Sequence, residues 1–157
     1  VSIAVDAALL TASDAFAMPI DNRLQVAAHA YSGEVLEEAN QRKATPKFER
    51  AKCLTCGKER LVYVSGTAAI RGEESLKQAG LARQLEVTME NIKELIGSAP
   101  LVYLRVYLKN PADYANATRL LEDYALAIPI TFMWADVCRE ELLIEIEGLA
   151  KAIESAI

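Results

Sequence analysis

Residues 135–149 read Ala135-Asp136-Val137-Cys138-Arg139-Glu140-Glu141-Leu142-Leu143-Ile144-Glu145-Ile146-Glu147-Gly148-Leu149. The second half alternates. Leu142, Ile144 and Ile146 fall on one side of an extended chain, and Glu145 and Glu147 on the other. Side chains of a strand point to opposite faces in turn, so one face enters a core and the other meets a wall or water. The stretch predicts a half-buried strand over 142–149 that carries two carboxylates. Cys138 stands seven residues before Glu145, just ahead of that strand. Taken alone, the pattern is that of an ordinary strand with a solvated acidic face.

Outward from this stretch, the pattern alternates between strand and helix. Ile130 to Trp134 predicts another strand. Asn110-Pro111-Ala112-Asp113 opens a helix, with Asn as cap, Pro in the first turn and Asp at the positive end. Tyr114, Ala117, Leu121 and Tyr124 form its expected buried stripe. Leu101 to Leu108 is a strand rich in Val, Tyr and Leu. Ser75 to Ile96 is the clearest helix, with Leu81, Leu85, Thr88, Ile92 and Leu95 at helical spacing and Gly97 and Pro100 ending it. Phe48 to Thr55 and Arg60 to Ile70 predict two strands joined by a hairpin at Cys56-Gly57-Lys58-Glu59. Small residues cluster at Ser65-Gly66-Thr67-Ala68-Ala69, where the backbone can approach a ligand closely. Arg23 to Tyr31 predicts a strand with His29 on its outer face, and Ser32 to Thr45 a long polar excursion. The resulting expectation is an α/β sandwich: a mixed β-sheet with two helices packed on one face.

Composition narrows the function. The 157 residues suffice for one domain with a real core, and 52% hydrophobic with 25% charged residues describes a globular chain. A net charge of -5, with bases interleaved among acids, argues against nucleic acid, whose phosphates need clustered Lys and Arg. No apolar run approaches the roughly 18 residues of a membrane helix. Val1 to Phe16 lacks a basic start and contains Asp6 and Asp14, so no signal peptide is read. A chain that starts Val-Ser reads as a fragment or a cleaved product. Cys53-Leu54-Thr55-Cys56 has no second pair to complete a zinc set, so two reduced thiols near a turn are expected and no metal. With three cysteines, a reducing compartment, the cytoplasm, is the expected location.

Several short motifs on this order resemble the YjgF/RidA superfamily. They are Val64-Ser65-Gly66, the helix segment from Gln84 to Ile92, Val106 to Asp113, and Ile144-Glu145-Ile146-Glu147. The resemblance implies a homotrimer with ligand clefts between subunits. Deaminases of that superfamily use an arginine after Pro-Ala to clamp a substrate carboxylate, whereas Ile130 follows Pro129 here, and an isoleucine cannot do this. The superfamily's older labels, endoribonuclease and translation inhibitor, gain no support from an acidic chain.

A longer set of matches is similar to the C-terminal half of the chorismatases, which hydrolyse the enolpyruvyl ether of chorismate. It comprises Asn22 to Val26, Pro46 to Ala51, Val64 to Ile70, Asp136 to Arg139, and Glu145. Residues 1–20 then read as an N-terminal strand or tail, a remnant of a missing N-terminal half, and residues 21–157 as the YjgF/RidA-like domain. The resemblance implies Glu145 as the catalytic acid and Cys138 in the same cleft, shaping the product. It also places Ala68 among the site-lining positions, small enough to leave room for a ring. A substrate with two carboxylates requires cations, and Arg50 comes first, then Arg139. Neither a cofactor nor a metal is implied. Alternative readings are an imine or enamine hydrolase without the usual arginine, and a small-ligand-binding trimer without turnover. Arginines converging near Glu145 favour the first reading, and a cleft filled by Met133 and Trp134 favours the last.

Overall fold

The computed structural model describes residues 9, 11, 13–33, 37–38, 41–42, 44–124 and 126–153. Parts of the expected tail and of the expected 32–45 excursion lie outside these residues. The sheet has six strands: β1 (Ala15–Ile20), β2 (Ala51–Cys56), β3 (Glu59–Thr67), β4 (Leu101–Leu108), β5 (Ile130–Trp134) and β6 (Ile144–Ile153). Their spatial order is β1-β2-β3-β6-β4-β5. All neighbours are antiparallel except β4 and β5, which makes the sheet mixed. Gly57, at a φ of 58°, takes the left-handed conformation that closes the tight turn between β2 and β3.

Helices α1 (Leu81–Ile96) and α2 (Tyr114–Glu122) pack on one face. The core lies between them and Val62, Val64, Leu104, Val106, Leu108, Ile144 and Ile146 of the sheet. The predicted stripe of α1 is buried throughout. On α2 only Ala117 and Leu121 are buried, while Tyr114 and Tyr124 sit at the rim. Tyr114 there packs edge-on against Phe132, with ring centroids 4.9 Å apart. The other sheet face, which includes Tyr63, Ser65, Tyr103, Arg105, Tyr107, Glu145, Glu147 and Leu149, carries no helix among the described residues.

Two expectations are corrected. Arg23 to Tyr31 is not a strand: it holds a single bridge from Gln25 to Gly72 and a short 3-10 turn at Ala28–Ala30. Asn22 dictates this, because its side-chain oxygen accepts from the N–H of Leu24 at 2.8 Å and its carbonyl from that of Gln25 at 3.1 Å. The long helix starts at Leu81 rather than Ser75. Glu74 and Ser75 pair with Arg71 and Ile70 in a short ribbon, and Gln78 turns the chain at a φ of 60°.

Helix α1 buries polar side chains as well. Gln84, Thr88 and Asn91 are all 0% exposed. Asn91 donates to the carbonyls of Ala68 and Ile70, both at 3.0 Å. Gln84 donates to the carbonyls of Ala79 at 3.0 Å and Glu141 at 2.8 Å, and accepts from the N–H of Leu143 at 2.8 Å. Buried amides are tolerated only when bonded in this way. Gln84→Leu keeps most of the volume but strands the Leu143 N–H. It should cost roughly 1–3 kcal/mol, read as a drop of several degrees in Tm. An unchanged Tm would contradict this anchoring role.

Candidate functional site

The chain irregularities gather at one end of β3 and β6. Between the pairs Ile146–Thr67 and Gly148–Val64, the register shifts by one residue, which puts a bulge at Ser65–Gly66. Glu145 lies against this bulge. A Cβ built on Gly66 would stand 2.1 Å from Glu145 Oε1 and 3.0 Å from its Cδ. Glycine is therefore what lets the carboxyl lie over the β3 backbone. The small-residue cluster at 65–69 predicts close approach to a ligand, whereas the group that approaches Gly66 here is the side chain of Glu145.

Glu145 and Glu147 share a face but not an environment. Glu147 accepts from Arg105 Nη1 at 2.6 Å and from the Tyr107 hydroxyl at 2.9 Å. Glu145 has no hydrogen-bond or ion-pair partner among the described residues. Burial, and next the charge of Glu147, push its carboxyl above the ordinary carboxylate range. Cys138 is exposed, yet the protein around its sulfur pushes the thiol up. The Glu145 charge adds to that rise, and Arg139 and Arg50 partly oppose it. The sulfur is thus a neutral thiol at pH 7 rather than a thiolate nucleophile.

Arg50 is 4% exposed. Its Nη2 donates to the Val26 carbonyl at 2.8 Å and to the Tyr31 hydroxyl, while its Nε–H finds no acceptor. No carboxylate pairs with it among the described residues. A buried guanidinium without an anion is costly, and its fork geometry suits a carboxylate. The main chain of Arg50 is bonded to the bulge, since the N–H of Ser65 donates to the Arg50 carbonyl at 3.1 Å. Arg139 donates to the carbonyl of Glu73 at 2.8 Å and to Ser75 Oγ at 2.9 Å. The Tyr31 ring stands between the two arginines, 5.4 Å from Arg50 Cζ and 5.3 Å from Arg139 Cζ.

Glu145, Cys138, Arg50 and Arg139 are therefore brought into one neighbourhood. Ala68 lies deeper, packed with Ala69, Ile70, Val87 and Leu142, with Val137 of the Cys138 loop against them. Met133 and Trp134 are exposed on the edge strand; the Trp134 indole donates to the Lys109 carbonyl at 3.2 Å. His29 is exposed and lines a shallow depression with Lys47, Phe48, Glu49 and Lys52. Among the described residues, no three His, Cys, Asp or Glu side chains are grouped to hold a metal, and no helix is long and apolar enough to cross a membrane. Tyr31, Arg105 and Tyr107 were not singled out from the sequence. Their roles depend on cross-strand register and on a loop 19 residues from Arg50, and neither leaves a local signal.

A solved chorismatase superposes on 86% of this chain with a TM-score of 0.73 and 24% identity. The YjgF protein of E. coli superposes on 85%, with a TM-score of 0.62 and 15% identity. A 3-hydroxybenzoate synthase of Streptomyces hygroscopicus is 30% identical over 149 residues, 83% of this chain. The chain has the YjgF/RidA-like fold and is similar in sequence to the chorismatases. Its fold is the one the E. coli protein shows along 97% of its own length. The YjgF/RidA-like chain spans less than half of the chorismatase-type relatives, 42% of the synthase and 44% of the solved chorismatase. No protein-family model matches it.

The close approach at the bulge can be checked directly. Gly66→Ala should fold with a Tm near that of the parent, because the clash falls on the movable end of a side chain. Its crystal structure should show the Glu145 carboxyl swung off β3. A carboxyl in its original place would contradict the packing argument.

Proposed function

We propose that this protein hydrolyses the enolpyruvyl ether of a cyclic carboxylate, with chorismate as the reference substrate, and releases pyruvate. The observation that carries the reading is Glu145: a half-buried carboxyl raised in proton affinity and, among the described residues, without a partner, with a buried arginine that there lacks an anion acting on the same Cys138 thiol. The similarity to a 3-hydroxybenzoate synthase and to chorismatases supports the same chemistry.

Glu145, protonated, delivers its proton to the methylene carbon of the enol ether. The resulting oxocarbenium ion is stabilised by the carboxylate left behind. Water adds to the cationic carbon and returns a proton to Glu145. The hemiketal then breaks its bond to the ring oxygen, giving the ring alcohol and pyruvate. Arg50 receives one substrate carboxylate, and Arg139, across Tyr31, the other. Cys138 acts as a compact neutral thiol against the substrate and biases the product. Ala68, beneath that loop, is small enough to leave room for a ring. The helix-free sheet face is covered by further copies of the chain, which makes a homotrimer whose clefts lie between subunits. The expected location is the cytoplasm.

Incubation with chorismate should release pyruvate, detected by coupled reduction with lactate dehydrogenase. No release from an intact trimer would reject the substrate. Glu145→Gln keeps the shape and removes the transferable proton, so turnover should fall by about 10²–10⁴-fold with binding much less affected. Full activity in that variant would reject the mechanism. Cys138→Ala should change rate or product distribution only modestly. The rate should fall as pH rises through the raised pKa of Glu145, since the acid must be protonated.

The oligomer has its own test. Light scattering at micromolar concentration should give three chain masses, and a monomer mass would contradict the covered face.

A further inference from the structure

Glu147 and Glu145 face the same strand, β4, with Arg105 opposite Glu147 and Tyr107 opposite Glu145. The donors are not shared out along that register. Tyr107 stands across from Glu145, yet its hydroxyl donates to Oε2 of Glu147, the same oxygen that Arg105 takes at 2.6 Å. Arg105 is itself seated, with its Cζ 5.9 Å from the Tyr103 ring. The Tyr103 hydroxyl is bonded in turn to Thr131 Oγ1 at 2.9 Å.

We propose that Arg105, Tyr107 and Glu147 are positioning residues that set the proton affinity of Glu145, by drawing both donors of β4 onto Glu147 and leaving Glu145 beside a fixed negative charge. This deepens the reading of Glu145 as the acid and rests on it for its catalytic meaning. Donors from a guanidinium and a phenol favour the ionised form of a carboxylate, while a carboxyl without donors near a negative neighbour binds its proton more tightly. The two acids of one strand thus differ: Glu147 holds both donors, and Glu145, without them, is raised in proton affinity. The other groups around Glu145 come from elsewhere. Gly66 of β3 offers no side chain, and the loop before β6 brings the neutral Cys138 thiol and Arg139. Arg50, just before β2, acts with Arg139 on that thiol. None of these donates a hydrogen bond to Glu145.

The triad predicts shifts of opposite sign. Glu147→Gln removes the negative neighbour, so Glu145 should titrate lower. Arg105→Met unmasks the Glu147 charge, so Glu145 should titrate higher. Arg105→Lys retains the charge and should restore the parent value closely. The measurement is a pH titration of 13C-carboxyl-labelled glutamates by NMR, with the Glu145 resonance assigned by its loss in Glu145→Gln. A merely structural strap would lower Tm in these variants without moving the midpoint in opposite directions. Equal midpoints, or shifts of one sign, would overturn the proposal. If Arg105→Met does not fold, the Glu147→Gln shift decides alone, and an unmoved midpoint overturns it. Because the midpoint is read without substrate, the titration tests the triad even in a protein that releases no pyruvate. Where pyruvate is released, the alkaline limb of the rate profile should move in the same directions.

Discussion

Two side-chain amides buried on one helix hold the site together. Gln84 and Asn91 sit on α1 with no exposure, and each is bonded to main chain outside the helix. Asn91 holds Ala68 and Ile70, the segment that leaves the bulge at the end of β3. Gln84 holds Glu141 and Leu143, the approach to β6. Asn22 joins the same network by donating to the Asn91 carbonyl at 3.0 Å, and so places the segment that leads to Tyr31. Three irregular segments, distant in sequence, are thereby pinned to one rigid element. Irregular chain needs such partners wherever it is buried, because a main-chain group without one costs about as much as a lost hydrogen bond. Catalytic groups carried on loops gain their precision from supports of this kind.

On that frame the sheet treats two like residues differently. Glu145 and Glu147 are two positions apart on one strand, on the same face, and of one chemical type. Glu147 takes the guanidinium and the phenol; Glu145 takes a glycine and a thiol loop. The difference arises from cross-strand register and from a one-residue bulge. Arg50 mirrors Glu145: among the described residues, one is a buried cation without an anion, the other a carboxyl without a donor. The two groups do not pair with each other, although both act on the Cys138 thiol.

Much of the fold was legible in the sequence. Alternation at Ile144–Glu147 and helical spacing at Leu81–Leu95 marked β6 and α1, and Asn110-Pro111 marked the entry to α2. The same rule of alternation failed at Leu24, Val26, Ala28 and Ala30. Asn22 there offers the backbone a local turn that competes with a strand, and a binary apolar pattern does not register it. The start of α1 was misplaced because Ser75 is claimed by a ribbon with Ile70, a partner set by tertiary packing. At the site, Gly66 could be flagged from its small neighbours, but the carboxyl of Glu145 against it could not. Arg50 and Arg139 were selected by resemblance, whereas the tyrosine between them and the Arg105–Tyr107 clamp depend on contacts that no local pattern encodes.

The most direct test follows the proton. Turnover of chorismate in D2O, with pyruvate trapped at once as lactate, reports whether solvent hydrogen reaches the methylene carbon. Delivery from an exchangeable carboxyl predicts one deuterium in the methyl group. Lactate with an undeuterated methyl group would contradict the account, because the hydrogen would then have come from a source other than Glu145.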